Sequence, residues 1–315
     1  MIPSAYKIIV VIPVFEDRIA CIELLAKLFS QFGQEVFVVL VDDGSVRTPM
    51  RASDIKDSGG DGVVLNLCRN VGHQTSIAVG LTYVSNLMND NQTVVIMDSD
   101  GEDSPEAIPK LLARLNDDVD AVVAVRGNRE VSMNFKLFYL FYKLIFRTMT
   151  GKKISFGNFM LLTRGAVLRL IGMRELGIHL AATLLSSRLR FDLCRIDRGH
   201  RYHGASKMNF VTLALHGFRA LMIFADDVLV RTGIFCSLMA LFSLMGISGA
   251  ILLKAFGFAT PGWFSVALGI LILILLQTGV LALITLVMTG NSRSNAPLHS
   301  SFYTDLIHTQ ASTFD

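Results

Sequence analysis

Charge is what one stretch of this 315-residue chain lacks: between Arg231 and Arg293 the sole charged residue is Lys254. The runs on either side, Thr232 to Leu253 and Trp263 to Met288, each reach the roughly 20 residues a helix needs to cross a hydrocarbon core of about 30 Å. Lys254 to Gly262 separates them and carries Gly257, Pro261 and Gly262, which are turn formers. A spanning segment has to satisfy its own backbone, so the expectation is a two-helix hairpin with both flanks on one side. Arg219, Arg231 and Arg293 on the flanks outnumber Lys254 in the turn, and that basic bias places the flanks, with everything before Arg231, on the cytoplasmic side. Two buried core helices would leave a similar trace. Cysteine is scarce as well: Cys21, Cys68, Cys194 and Cys236 are scattered without a CxxC pair, which argues against a zinc site or a disulfide framework. The opening MIPSAYKIIVVIP has no basic segment followed by a small-residue cleavage site, so no secretory signal is expected. A net charge of +3 is too small to argue for nucleic acid as a partner.

What the first 231 residues do contain is alternation. Short β-branched runs at Ile8 to Ile12, Val36 to Val41, Val63 to Leu65, Val94 to Met97 and Ala121 to Val125 read as buried strands. Amphipathic stripes lie between them, among them Ile22, Leu25, Leu28 and Phe29, then Ile77, Leu81, Val84 and Met88, then Ile108, Leu111, Leu112 and Leu115. The βαβ order predicts an α/β fold with a mostly parallel, doubly wound sheet, whose ligands gather at the carboxyl ends of its strands.

Those ends are acidic. The first strand runs into Pro13-Val14-Phe15-Glu16-Asp17, the second into Asp42-Asp43-Gly44-Ser45, and the fourth into Asp98-Ser99-Asp100-Gly101-Glu102-Asp103. Carboxylates gathered in one cleft repel one another unless a cation or donor groups compensate. Asp-x-Asp at a strand end offers hard oxygen ligands suited to Mg²⁺ or Mn²⁺. The plainer alternative, acidic turns that only cap strands and helices, applies to each turn singly; Ser104-Pro105-Glu106 does look like a helix start.

VIPVFED, VDDGS, RNVGHQTSIAVGL and MDSDGEDSPE, in this order, resemble the inverting GT-A glycosyltransferases of family 2 over about the first 165 residues. With RGHRYHGASKMNF and the apolar hairpin, the chain is more specifically similar to the dolichyl-phosphate mannose synthase and bacterial polyprenyl-phosphate glycosyltransferase branch. The resemblance implies a GT-A catalytic domain over 1–208, an interfacial amphipathic helix over 209–231, a transmembrane hairpin over 232–289 and a cytoplasmic tail over 290–315. It implies that Pro13, Phe15, Asp17, Asp42 and Asp43 hold the nucleoside, that Asp98 and Asp100 hold ribose and metal, with Glu102 as a further metal ligand, and that Asn70 and Gly72 form the turn opening a helix near the diphosphate. The family often has Asn where this chain has Glu16, and Gln where it has Glu102. His73 is expected to be a polar first-turn residue and no ligand.

The acceptor side is read from basic and aromatic residues. Phe135 to Arg147 interleaves Lys136, Lys143 and Arg147 with rings, as a helix at a membrane interface does. Arg126 and Arg129 follow the fifth strand, while Arg201 and Lys207 flank Ser206; such cations suit a lipid phosphate. Relatives often carry an acidic residue, a proposed base, before the residue matched by Phe159, where this chain has Asn158. Asn cannot accept a proton, which leans toward a phosphate acceptor or a base elsewhere, with Asp103 the nearest candidate. The expectation is therefore a metal-dependent, membrane-anchored transferase moving sugar from a nucleotide-sugar, implied to be a UDP-sugar, to polyprenyl phosphate. The alternatives are transfer to a lipid-linked saccharide hydroxyl and a non-catalytic nucleotide-binding scaffold. Two-helix anchors of this branch can also associate into homo-oligomers.

Overall fold

The computed structural model describes residues 2–126, 133–153, 156–197, 199–203, 210–258, 260, 262 to 292 and 301–314. Its strands are Ile8–Val14 (β1), Val36–Asp42 (β2), Asp61–Leu67 (β3), Thr93–Ile96 (β4), Ala121–Arg126 (β5), Met160–Thr163 (β6), Phe191–Ile196 (β7) and Ile307–Ser312 (β8). Helices run over Arg18–Phe32 (α1), Ala52–Asp57 (α2), His73–Ser85 (α3), Ile108–Leu112 (α4), Met133–Thr150 (α5), Arg164–Ile171 (α6), Leu180–Ser186 (α7), Phe210–Ile223 (α8), Ala225–Ala255 (α9), Trp263–Ser292 (α10) and Ser301–Thr304 (α11).

All eight strands join one sheet in the order β7-β5-β6-β4-β1-β2-β3-β8. The centre is parallel, as the alternation predicts, with β1 between β2 and β4 and β3 beyond β2. Side chains of β1 alternate between two cores. Ile9 and Val11 pack with Val39, Val41 and α3 residues Ile77 and Leu81, while Ile8, Val10 and Ile12 pack with Val38, Leu40 and α1 residues Leu24, Leu25 and Leu28. Burial on both faces is why these strands read as continuous apolar runs.

Three strands lie outside the sequence expectation. β6 is antiparallel to both β4 and β5, pairing Met160 with Ile96. It therefore starts where β4 ends, which sets Asn158 beside the DxD turn. β8 pairs antiparallel with β3. The segment 290–315, expected as a tail, thus contains an edge strand of the sheet, and Tyr303 of α11 is buried in the core beside α3.

The chain divides into two compact units: residues 1–140, 153–223 and 297–315 form one, and Phe141–Lys152 with Phe224–Ala296 form the other. In the second, α9 and α10 pack as a pair, with Ser243 Oγ donating to the Leu271 carbonyl at 2.6 Å and Gly246 facing the Leu271 side chain. The end of α5 joins them: Phe146 meets Phe224 edge-on at 5.8 Å, and Arg231 donates to the Thr148 carbonyl. Ala225–Ala255 and Trp263–Met288 are long and apolar enough to cross a membrane, with mean hydropathy 2.1 and 2.8. The helix expected over 209–231 is divided at Phe224, which separates α8 from α9.

Candidate active site

Loops following β1, β2 and β3 meet at the carboxyl edge of the sheet, and carboxylates, the buried Asp42 and Asp43 among them, bind them together. Asp42 accepts from the amides of Ser45 at 2.9 Å and Met50 at 2.7 Å. Asp43 accepts from Val71 at 2.7 Å and Gly72 at 3.0 Å, so it caps the chain entering α3. Burial pushes the Asp43 carboxyl above its ordinary value, and the two amides pull against that shift. Gly44, at φ +71°, lies so close to the next loop that a Cβ would come within 2.5 Å of the Arg69 carbonyl carbon. Both aspartates, expected to hold the nucleoside, have carboxylates committed to loop backbone, which makes them organisers of the cleft wall.

Glu16 completes that wall. Its backbone sits in the left-handed region at φ +48°. One carboxylate oxygen accepts from the amides of Val46 at 2.8 Å and Arg47 at 3.0 Å; the other accepts from the Thr48 amide and hydroxyl, each at 3.0 Å. These donors, led by the Arg47 amide, hold the carboxyl down at about 2. The departure from the family's Asn is thus a staple between the first two loops. Phe15 beside it is exposed, and Pro13 is buried.

The DxD turn is closed by its own neighbours. Asp98 N–H donates to Asp103 at 3.0 Å and Glu102 N–H to Asp100 at 2.9 Å. Asp103 is buried and turned into this loop, which places the expected alternative base in a structural position. Arg201 Nη2 lies 2.5 Å from Asp100 Oδ2, and its Nε lies 3.5 Å from Glu102 Oε1. Arg201, expected apart from the donor carboxylates, is therefore on them. Arg126 ends β5 at the same edge of the sheet. Arg129, Ser206 and Lys207 fall outside the described residues.

A second polar chain approaches Asp98 from α3. His73 Nε2 is 3.3 Å from Asp98 Oδ1 and 3.0 Å from Asn158 Nδ2; Gln74 donates to Asn158 Oδ1 at 3.2 Å and accepts from Leu180 N–H at 2.6 Å. Burial opposes charge on His73, but Asp98, Asp103 and Asp43 outweigh it and raise its pKa. A ring nitrogen holds one proton or one lone pair, so protonated Nε2 serves Asp98 and bare Nε2 serves Asn158. Behind them His179 and His216 stack at 4.2 Å, and burial, then His216, hold His179 down at about 3. Gln74 and the stacked pair are not singled out by the sequence; His73, expected as a polar first-turn residue, stands directly after the turn of Asn70 and Gly72 and meets Asp98.

Among the described residues no three His, Cys, Asp or Glu side chains form a cluster able to hold a metal. Asp98, Asp100 and Glu102 do not converge as the expected three ligands: Arg201 lies against both Asp100 and Glu102, and His73 against Asp98. Two carboxylates still fit Mg²⁺ or Mn²⁺, which takes one or two of them and completes its shell with water and substrate phosphate. The guanidinium on Asp100 and Glu102 shows that this turn accommodates a cation.

A mostly parallel sheet with acidic loops at its carboxyl edge and a DxD turn after β4 defines a GT-A glycosyltransferase. The chain belongs to glycosyl transferase family 2, whose model matches residues 9–171. It is 28% identical to the undecaprenyl-phosphate 4-deoxy-4-formamido-L-arabinose transferase of Klebsiella pneumoniae over 274 residues, 83% of this chain and 80% of that protein. The enzyme of the same name from Salmonella paratyphi B is 30% identical over 156 residues, which span 46% of its length. In fold the chain is similar to Mycobacterium tuberculosis glucosyl-3-phosphoglycerate synthase, crystallised with Mn²⁺ and UDP-glucose, at 14% identity and a TM-score of 0.51 over 71% of this chain and 80% of that one.

Proposed function

We propose that this glycosyltransferase moves a sugar from a UDP-sugar to the phosphate of a polyprenyl lipid at the cytoplasmic face of a membrane. The observation that carries the reading is the match to an undecaprenyl-phosphate sugar transferase over 83% of the chain, far beyond the family domain that ends at residue 171. The nucleoside lies against the wall that Asp42, Asp43 and Glu16 organise, with Pro13, Phe15, Asp17, Asn70 and Gly72 along it. Asp98 and Asp100 take a divalent cation, which when bound neutralises charge on the departing nucleoside diphosphate. His73 holds a proton at Nε2 toward Asp98 and so orients that carboxylate.

Asn158 gives no general base at the position of the family's acidic residue. A phosphate acceptor needs none, because with a second pKa near ~6 it is already an anionic nucleophile at neutral pH. Arg126, Arg129, Arg201, Ser206 and Lys207 bind that phosphate. The anchor is α9 with α10. A helix of 31 residues extends about 46 Å at ~1.5 Å per residue, more than a hydrocarbon core of about 30 Å requires. Leu215, Phe218 and Met222 of α8 expose an apolar stripe suited to the interface.

The test is transfer by the full-length protein in lipid nanodiscs, with a panel of nucleotide-sugars and undecaprenyl phosphate, read by mass spectrometry of the lipid. A sugar-phosphate-lipid product with one UDP-sugar is expected. Transfer only to a hydroxyl-terminated lipid saccharide, or nucleotide binding without turnover, would overturn the reading.

A further inference from the structure

We propose that Arg201 is the resting counter-ion of the DxD turn: without donor, its guanidinium holds Asp100 and Glu102, and the divalent cation that arrives with the donor displaces it. This rests on the reading above that the turn takes a cation.

The segment 199–203 is built onto the turn and does more than lie near it. Gly199 N–H donates to the Glu102 carbonyl and Tyr202 N–H to the Asp100 carbonyl, each at 3.0 Å. These two bonds bracket Arg201, so its side chain emerges directly over the acidic pair. Gly101, at φ +85°, has no side chain, and the Tyr202 ring fills that space: a Cβ on Gly101 would come within 2.5 Å of the ring. A Cβ on Gly199 would collide with the Gly101 carbonyl. The outer face of the ring is covered by Lys27, whose Nζ lies 3.8 Å from the ring centroid. Lys27 in turn pairs with Glu23, which also meets His203 at 3.4 Å. The strap is thus held by backbone bonds and by a ring, and the guanidinium is not needed to keep it in place.

Charge explains why the guanidinium is there and why it has to leave. Clustered carboxylates demand positive charge whether or not substrate is present. A nitrogen 2.5 Å from Asp100 Oδ2 occupies the position from which a metal would approach that oxygen at about 2.1 Å. Two cations on one carboxylate oxygen repel, so the arginine and the metal exclude each other. Once displaced, the same guanidinium is available to a phosphate oxygen, for which its planar fork is well suited. Donor loading would thereby release the acceptor's ligand, and the acceptor binds second.

The experiment measures Mn²⁺ binding to the full-length, donor-free protein by the loss of the free Mn²⁺ electron paramagnetic resonance signal. Arg201→Gln should bind Mn²⁺ at least tenfold more tightly than the wild type without nucleotide, and the gap should narrow when UDP is added. Should the glutamine variant not fold, Arg201→Lys, which keeps the charge and loses the fork, should still bind at least threefold more tightly. Asp100→Asn in either background should remove the binding. Equal or weaker Mn²⁺ affinity in the folded variants, with binding still dependent on Asp100, overturns the counter-ion proposal and leaves the metal reading standing. Absence of Mn²⁺ binding in every form, with UDP present, overturns both.

Discussion

Asn158 Nδ2 lies 3.0 Å from His73 Nε2, so a residue that cannot take a proton is in contact with one that can. The register of β6 on β4 produces this meeting, since a strand antiparallel to its neighbour begins where that neighbour ends. Replacing Asn158 therefore separates the two acceptor chemistries.

Asn158→Asp should change transfer to undecaprenyl phosphate by no more than a few-fold, because that nucleophile is already ionised. On a hydroxyl acceptor the same change should raise the rate, since general base catalysis contributes roughly 10²- to 10⁴-fold. Comparing kcat on both acceptors checks this; a large gain on the phosphate acceptor would contradict the proposed chemistry.

Asp100→Ala should reduce metal-dependent transfer by at least about 10²-fold while leaving the far-ultraviolet circular dichroism and membrane insertion unchanged, since a metal's share in stabilising a leaving group is worth several kcal/mol. Full activity of this variant after EDTA treatment and Mg²⁺ resupply would sink the cation assignment.

Glu16→Gln tests the loop staple. The wild-type carboxyl titrates at about 2 against an ordinary 4.5, so its contribution is present above about pH 4.5 and is lost as pH falls toward 2. The variant's melting temperature should lie below the wild type's at pH 7, and the gap should narrow steadily as pH falls from about 4.5 toward 2. Donor KM should rise more than kcat falls, because the staple shapes the cleft wall and not the reacting atoms. A pH-independent gap would assign the effect to something other than the carboxylate.

His179 acts in a neighbouring, higher pH window. It is neutral in the fold, with a value near 3 against 6.5 when unfolded, so the unfolded chain binds the extra proton between those limits. Stability should therefore fall as pH drops below about 6.5, by up to roughly 1.4 kcal/mol per unit for this group. His73, with its raised value, contributes a slope of the other sign. Thermal melts of His179→Gln from pH 7.5 to 5 should show a shallower decline than the wild type.

The parallel centre was legible because strands buried on both faces leave apolar runs, and the acidic strand ends were legible because carboxylates at three equivalent positions are hard to explain otherwise. β6 and β8 were not, because short antiparallel strands are defined by partners distant in sequence: β8 meets β3 with Thr313 bonded to Gly62 across 251 positions. At the site the sequence points to residues, while their bonding partners are visible only in the fold. The sequence points to Asp42 and Asp43, but only the structure shows their oxygens given to Ser45, Met50, Val71 and Gly72. Arg201 stands out in the sequence by its charge alone, and a charge carries no information about which carboxylate it meets. Glu16 stands out as a departure from the family, while its partners lie about 30 positions away in another loop.

The position of β8 after α10 also sets an order of assembly. The edge of β3 is made early in synthesis, yet its partner emerges only after both apolar helices have left the ribosome. At the usual ~5 to 20 residues per second, more than ten seconds separate the two. Through that interval β3 presents unpaired amides and carbonyls, the template on which strands of other molecules add. The nascent domain is thus most exposed to mispairing while its apolar helices are being delivered, and completion of the sheet marks the end of that delivery.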